Sequence, residues 1–151
     1  MNFTIDASIF VATAHAPEVH HAASLEFLRK IEEQVVHLFC PTLVLAECAA
    51  AIARQTDRPI LAERIVVLIE HLPNLLLVPL DASLAHRAAQ IAITQRLRGA
   101  DAIYAAVAET FGATLITWDA EMLQRGPAVV STLTPTEWLK HQRASRQESS
   151  E

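Results

Sequence analysis

Short apolar runs alternate along the chain with longer segments whose apolar residues recur every three or four positions. The short runs predict strands over residues 2–6, 35–41, 75–79, 113–117 and 128–131. The longer segments predict helices over 17–34, 42–55, 59–73, 81–97 and 101–111, and a capping box in 134–138 starts another helix. Alternating strands and helices are typical of an α/β domain in which helices cover both faces of a parallel sheet.

Some segments carry information beyond their periodicity. The helix over 42–55 is apolar on almost all sides and the strand over 75–79 is apolar throughout, so both are predicted to be buried. The helix over 59–73 has more apolar residues than one buried stripe requires, which favours contact with a partner subunit. The polar residues 141–151 predict a disordered tail after a single domain of residues 1–140.

Composition narrows the class of protein. The chain has 151 residues, 52% of them hydrophobic, which suits one domain with a sizeable core. No apolar run reaches the roughly 18–20 residues of a membrane helix, and the first residues do not have the pattern of a signal peptide. Cys40 and Cys48 stand in apolar stretches, as expected for buried free thiols in a cytoplasmic protein.

The net charge of −5 argues against a strongly basic nucleic-acid-binding surface. It does not exclude a nuclease, because setting aside four acids around metal ions would leave 13 acidic residues against 12 basic ones. Ten of the basic residues are arginine, the side chain best suited to bidentate phosphate contacts.

Three aspartates stand where the predicted sheet presents its carboxyl edge. Asp6 closes the first predicted strand, and Asp119 follows the strand over 113–117. Asp101 begins the helix that leads back into that strand, so it lies at the same edge. Each of them alone is explained by a turn or a helix cap. Together they fall where parallel α/β sheets carry their sites.

Glu47 is the least ordinary acid, because the segment from Val44 to Ala53 has no other charge. A buried carboxylate needs a partner, which is either an arginine such as Arg96 or Arg98, or a metal ion. Four carboxylates at one edge would repel one another without a counter-ion. Mg²⁺ and Mn²⁺ take oxygen ligands and leave positions for water and substrate phosphates, so they suit this edge.

Four segments, IDASIF, LVLAECAAA, LRGADAIYAAVAE and LITWDAEML, resemble the PIN domain family, most closely VapC-type toxins of toxin–antitoxin systems. The resemblance covers about residues 3–139. It implies a five-stranded parallel sheet of order 3-2-1-4-5 and an Mg²⁺- or Mn²⁺-dependent endoribonuclease. It also implies an RNA substrate and a cognate antitoxin and, with the apolar surface of residues 60–72, a homodimer.

The resemblance assigns roles residue by residue. The metal-binding and catalytic acids are Asp6, Glu47, Asp101 and Asp119. Thr117 and Ser8 match small hydroxyl residues that support these acids. Glu121 stands where many relatives have a second aspartate; its longer side chain either reaches the metal or faces solvent.

Two further side chains near the acids have open roles. Arg98 precedes Asp101 by three residues and is either a contact for substrate phosphate or a solvated arginine. Trp118, beside Asp119, either stacks on a nucleobase or packs in the interior.

Other functions remain as alternatives. The first is a PIN nuclease that is not a toxin, and the second is a PIN-like binding module without catalysis. The third is a phosphotransferase with Asp6 as nucleophile. That chemistry usually requires a second acid where this chain has Ser8, and a nearby lysine, whereas the lysines are Lys30 and Lys140.

Overall fold

The computed structural model describes residues 1–149. The strands are β1 (Asn2–Ile5), β2 (His37–Pro41), β3 (Leu75–Val78), β4 (Thr114–Ile116) and β5 (Thr132–Leu133). The helices are α1 (Ala7–Ala14), α2 (His21–Glu32), α3 (Leu43–Thr56), α4 (Pro59–Glu70), α5 (Ala82–Gln95), α6 (Gly99–Thr110), α7 (Ala120–Arg125) and α8 (Pro135–Glu148). A 3-10 turn covers Gly126–Ala128.

The five strands form one parallel sheet of order β3-β2-β1-β4-β5, which confirms the expected architecture. β1 lies at the centre, where Phe3 is in register with Leu38 of β2 and Thr114 of β4. Ile5, the last residue of β1, is in register with Ile116, the last residue of β4. The residues that follow these two strands are therefore neighbours at the carboxyl edge of the sheet.

Helices cover both faces of the sheet. On one face Phe3 meets Phe27 of α2 and Trp138 of α8 edge to face, at centroid distances of 5.9 and 5.6 Å. On the other face Phe39 of β2 stacks at 4.3 Å on Phe111, the residue that ends α6. Alternate residues of a strand point to opposite faces, so α6 and the α2–α8 pair lie on opposite sides.

Helix α6 is the most buried helix, because it lies against the three central strands. Its alanines allow close approach to the sheet, and Tyr104 is its one large side chain that is fully buried. Gly112 follows the helix with φ of +57°, a left-handed conformation that favours glycine. The predicted end of this helix is therefore confirmed.

The fifth strand lies later than the sequence predicts. Residues 128–131 are not a strand, because the N–H groups of Val129 and Val130 both donate to the carbonyl of Gly126 and continue the 3-10 turn. β5 is the two-residue segment Thr132–Leu133 that follows. Valine-rich composition favours a strand, and local turn bonding overrides that preference here.

Two elements are less buried than predicted. β3 is an edge strand in which Leu76 is 51% exposed, because the strand order leaves one side of it without a partner. In α3 only Val44, Cys48 and Ile52 are buried, at a spacing of four residues. The remaining apolar positions of α3 are mostly alanines, which are common at surfaces and do not by themselves indicate burial.

Several helix boundaries also differ from prediction. α1 and α7 were not predicted, since each has eight or fewer residues, too short to display a clear helical period. α2 begins at His21, not at residue 17, and turns and bends occupy residues 16–20. α5 agrees with prediction, with the Asp81 carboxylate accepting the Leu84 N–H at 2.8 Å as its cap.

The tail is helical in its first part, where disorder was predicted. α8 starts at the expected capping box, in which Thr134 and Glu137 exchange hydrogen bonds, and extends to Glu148. Arginine, glutamine and alanine in this segment are good helix formers, and Arg143 pairs with Glu26 of α2 at 3.0 Å. Residues 150 and 151 of the predicted tail lie outside the described residues.

Two further observations bear on the class of protein. In the described part of the chain, no helix has both the length and the apolar character required to cross a membrane. Cys40 and Cys48 are buried and free, as predicted, and burial raises the pKa of the Cys40 thiol to about 12.

Candidate functional site

The acids reach the carboxyl edge of the sheet from four separate elements. Asp6 directly follows β1 and caps α1, and Asp119 lies just past β4 and caps α7. Glu47 is on the second turn of α3, and Asp101 is the third residue of α6. The helix therefore begins two residues before Asp101 and not at it as predicted.

Asp6 is the most buried of these acids, with 6% of its surface exposed. The Thr117 hydroxyl donates to its Oδ2 at 2.9 Å, and the Ser8 N–H donates to the same oxygen at 3.4 Å. Burial raises the pKa of Asp6; hydrogen bonds from Ser8 and Thr117 oppose the rise, and the nearby charge of Asp119 adds to it. Asp6 is thus fixed in position but has no cationic partner in the described structure.

Thr117 connects two of the acids. Its Oγ1 donates to Asp6 and accepts the backbone N–H of Asp119 at 3.0 Å. The hydroxyl is fully buried, so both hydrogen bonds are shielded from water. Among the supporting residues expected from sequence, Thr117 is the one that the structure places between two acids.

Arg98 joins Asp101 and Asp119. Its Nε lies 2.9 Å from Asp101 Oδ2, and its Nη2 lies 2.6 Å from Asp119 Oδ2. Its Nε is also 3.6 Å from Glu121, which pairs with Arg125 at 3.1 Å. Burial raises the pKa of Asp101, and the hydrogen bond from Arg98 opposes that rise.

Glu47 is half-buried and accepts a hydrogen bond of 2.8 Å from the Tyr104 hydroxyl. Burial raises the pKa of Glu47; the Tyr104 bond opposes the rise, and the charges of Asp6 and Asp101 add to it. Neither Arg96 nor Arg98 forms an ion pair with Glu47 in the described residues, so the salt-bridge alternative from sequence is not what the structure shows.

Tyr104 also belongs to this region, although it was not predicted to do so. It lies three residues after Asp101 on α6, so both side chains emerge on the same side of the helix. Its signal was present in the sequence as the one hydroxyl in the apolar run from 102 to 108.

The four principal acids line one open cleft of about 760 Å³, here called the acid cleft. Ser8, Arg98, His20 and Trp118 line it as well. Glu121 does not line the cleft, but one of its oxygens lies within 4.8 Å of oxygens of Asp101 and Asp119. Asp6 and Glu47 stand outside this tight group, held by Thr117 and Tyr104 respectively.

The donor set of the acid cleft is made of carboxylate oxygens, the ligands that hard divalent cations prefer. Asp101, Asp119 and Glu121 can offer three such oxygens to one ion. Burial raises the pKa values of Asp6, Glu47 and Asp101, and a bound cation would offset the cost of burying their charged forms. A divalent cation at these acids fits the donor chemistry of the site.

Comparison with solved structures identifies proteins of similar fold. VapC20 from Mycobacterium tuberculosis, a sarcin–ricin loop cleaving toxin, has a TM-score of 0.68 and 17% identity, over 81% of this chain and 93% of that one. VapBC-1 from nontypeable Haemophilus influenzae has a TM-score of 0.65 and 17% identity, over 90% and 99%. PAE2754 from Pyrobaculum aerophilum has a TM-score of 0.63 and 22% identity, over 95% and 96%.

At these identities the structural likeness concerns the fold alone. No curated protein sequence matches the chain. The sequence does match the PIN domain family over residues 3–127, which is most of its length. The chain therefore belongs to the PIN domain family.

Proposed function

We propose that this protein is an Mg²⁺- or Mn²⁺-dependent endoribonuclease and the toxin of a toxin–antitoxin pair. One observation carries the proposal: four acids from four elements, Asp6, Glu47, Asp101 and Asp119, line a single cleft at the carboxyl edge of the sheet. The similar structures of VapC20, a toxin that cleaves the sarcin–ricin loop, and of VapBC-1 support RNA as substrate and an antitoxin as partner.

Asp6, Asp101 and Asp119 would hold the metal, with Glu47 completing the site and Glu121 a further candidate ligand. When bound, such an ion neutralises charge on a phosphodiester and makes a water more acidic. Thr117 fixes the Asp6 carboxylate and the backbone of Asp119, and Tyr104 fixes Glu47. These bonds set the direction of the ligand oxygens before any ion arrives.

Arg98 is proposed to contact substrate phosphate. It is the one arginine or lysine among the described residues that line the acid cleft, and 63% of its side chain is exposed. In the structure its guanidinium lies on Asp101 and Asp119. Because the guanidinium is open to solvent on the side away from these acids, a phosphate can compete for its donors.

The partner surfaces lie away from the acid cleft. An apolar groove of about 380 Å³ runs between α1, α2 and α4, with Arg29 and Arg64 among its lining residues. We assign this apolar groove to an antitoxin segment with apolar and acidic side chains. Ile60 and Val67 of α4 are each 53% exposed and are proposed to contribute to a homodimer. We place the protein in the cytoplasm, in keeping with its buried free thiols.

The phosphotransferase alternative has no support in the site. Lys30 of α2 forms an ion pair at 2.8 Å with Glu33, the residue that follows this helix, and Lys140 is on α8. Neither lysine lines the acid cleft, and the position two residues after Asp6 carries a hydroxyl and not an acid.

The test is cleavage of RNA by the protein purified free of antitoxin. We expect cleavage with Mg²⁺ or Mn²⁺, arrest with EDTA, and no cleavage by Asp101→Asn. Asp57→Asn is the matched control, since Asp57 is exposed and has φ of +51°, a conformation that asparagine tolerates. Undiminished cleavage by Asp101→Asn would refute the site, and an inactive wild type would favour the binding-module alternative.

A further inference from the structure

One wall of the acid cleft is an aromatic pair. The imidazole of His20 lies parallel to the indole of Trp118, with ring centroids 3.8 Å apart and an angle of 7° between the planes. Both side chains line the cleft together with the four principal acids. Trp118 also directly precedes Asp119 in the chain, so the aromatic wall and an acid share one short segment.

Trp118 is held in a fixed orientation. Its indole N–H donates to the hydroxyl of Ser24, a fully buried residue of α2, at 2.8 Å. Its backbone N–H donates to the hydroxyl of Ser8 at 3.1 Å. A ring anchored at both ends loses little conformational freedom when a ligand stacks on it, so the wall is preorganised for binding.

The other tryptophan shows what a purely structural tryptophan looks like in this protein. Trp138 is 4% exposed and packs edge to face against Phe3 and Phe27 inside the core. Trp118 also packs against the core, but it is only partly buried and it borders the cleft. His20 does not cap α2 with its side chain, although it occupies the capping position. Its ring stacks on Trp118, and both residues line the cleft.

We propose that His20 and Trp118 form a stacking wall for an unpaired nucleobase of the RNA whose phosphate lies at the acids. This inference rests on the proposed ribonuclease function and narrows its substrate. Aromatic side chains bind bases through their faces, and those faces are accessible only in single strands, loops and bulges. The substrate is therefore an unpaired segment, whereas the bases of a continuous duplex cannot reach the wall.

The test is a binding measurement that does not depend on cleavage. A fluorescent uridine heptamer and a heptamer of the same backbone without bases are titrated with the whole protein in EDTA, and anisotropy gives both dissociation constants. Repulsion from the acids weakens the two probes alike because their phosphates are equal in number. The ratio of the two constants therefore isolates the contribution of the bases.

For the wild type we expect the uridine heptamer to bind about 5- to 140-fold more tightly than the baseless one, the range for stacking of one base. Trp118→Leu should remove most of this ratio, and Trp118→Phe, which retains an aromatic ring, should keep most of it. His20→Ala should lower the ratio, whereas His86→Ala, at an exposed position of α5, should leave it unchanged.

Equal binding of the two heptamers by the wild type would overturn the stacking wall, and so would a ratio that persists in Trp118→Leu. The Trp118→Phe variant is the control for the lost hydrogen bond to Ser24, because both variants lack the indole N–H. A ratio that is lost in Trp118→Leu and kept in Trp118→Phe therefore reports the aromatic ring. Failure of the nuclease proposal is seen separately: it would appear as a base preference that depends on Trp118 in a protein that cleaves no RNA with Mg²⁺ or Mn²⁺.

Discussion

The acid cleft and the apolar groove are two concave regions of this molecule that are built from opposite kinds of side chain. The cleft gathers carboxylates with raised pKa values, held by Thr117 and Tyr104. The groove gathers leucines such as Leu25 and Leu68, which are 46% and 47% exposed. Like charges brought together lower the unfolding free energy, whereas an exposed apolar surface is typical of a site that binds a partner.

This difference assigns different kinds of function to the two regions. Clustered, desolvated acids with shifted pKa values are typical of functional sites, so the cleft is the candidate for chemistry. The groove has few groups that could react, so it is the candidate for association. Substitutions should therefore separate the two: cleft variants change catalysis and metal response, and groove variants change binding of a partner.

The largest expected effect is that of Asp6→Asn on cleavage. We expect a loss of more than about 100-fold in kcat/KM, because even the loss of a residue that only hydrogen-bonds to a metal ligand costs about 10- to 100-fold. The asparagine oxygen can still accept from Thr117 and Ser8, so the fold should persist. Initial rates on RNA, with circular dichroism as the folding control, provide the measurement. Cleavage within tenfold of wild type would remove Asp6 from the site.

Thr117→Val should weaken metal binding by about 10- to 100-fold. The substitution keeps the shape of the side chain and removes the hydroxyl that donates to Asp6 and accepts from Asp119. Titration with Mn²⁺, followed by electron paramagnetic resonance, measures the affinity. Thr117→Ser should restore it, since serine retains the hydroxyl. Wild-type affinity in the valine variant would show that Thr117 has no positioning role.

The metal-free protein should lose stability as the pH rises. Folding raises the pKa values of Asp6, Glu47 and Asp101, so the folded state binds protons more tightly than the unfolded state. The stabilisation is complete below the ordinary values of about 4 and is lost as the pH rises through the raised ones. Thermal unfolding in EDTA from pH 4 to 7 tests this.

Two additions sharpen the pH experiment. Asp6→Asn should flatten the decline, because it removes the most buried of the three acids. Mg²⁺ or Mn²⁺ at ten times the dissociation constant of the wild type should raise the unfolding free energy of the wild type by about 1.4 kcal/mol. The same concentration should stabilise the variant less, because the variant binds the ion more weakly. A metal-free wild type whose stability rises steadily from pH 4 to 7 would contradict the assignment of raised pKa values.

The smallest expected effect on the free protein is that of Leu68→Gln in the groove. Leu68 is 47% exposed, so unfolding free energy should change by no more than about 0.5 kcal/mol, and cleavage should be unchanged. Its neighbour Ile65, 4% exposed, is the matched contrast, because Ile65→Ala should cost about 2–5 kcal/mol. Urea unfolding measures both.

The same variant tests the groove as a partner surface. Binding to the proposed cognate antitoxin should weaken in Leu68→Gln, as measured by calorimetry, while Asp57→Asn binds as the wild type does. A loss of 2 kcal/mol or more in the free protein would make Leu68 part of the core, and full antitoxin binding by the variant would place the partner elsewhere.

Much of the fold was predictable because its main signals are local. Apolar runs, helical periods, the capping box at Thr134 and the glycine after α6 each depend on a few neighbouring residues, and the structure agrees with them. The strand order follows from the family resemblance and not from periodicity, and the structure confirms it. The short helices α1 and α7 were not predicted, because they have too few residues to show a helical period. The position of β5 was not predicted, because turn bonding outweighs the strand propensity of the valines before it.

The candidate acids were also readable from the sequence, since charges at strand ends and in an apolar helix are conspicuous. The side chains that contact these acids and the cleft could not be predicted. Tyr104 reaches Glu47 across 57 residues, His20 meets Trp118 across 98, and Arg98 joins Asp101 to Asp119. Such contacts depend on how helices pack around the sheet and on which rotamers that packing allows. Sequence therefore indicated which groups carry charge, and tertiary structure decided what each of them faces.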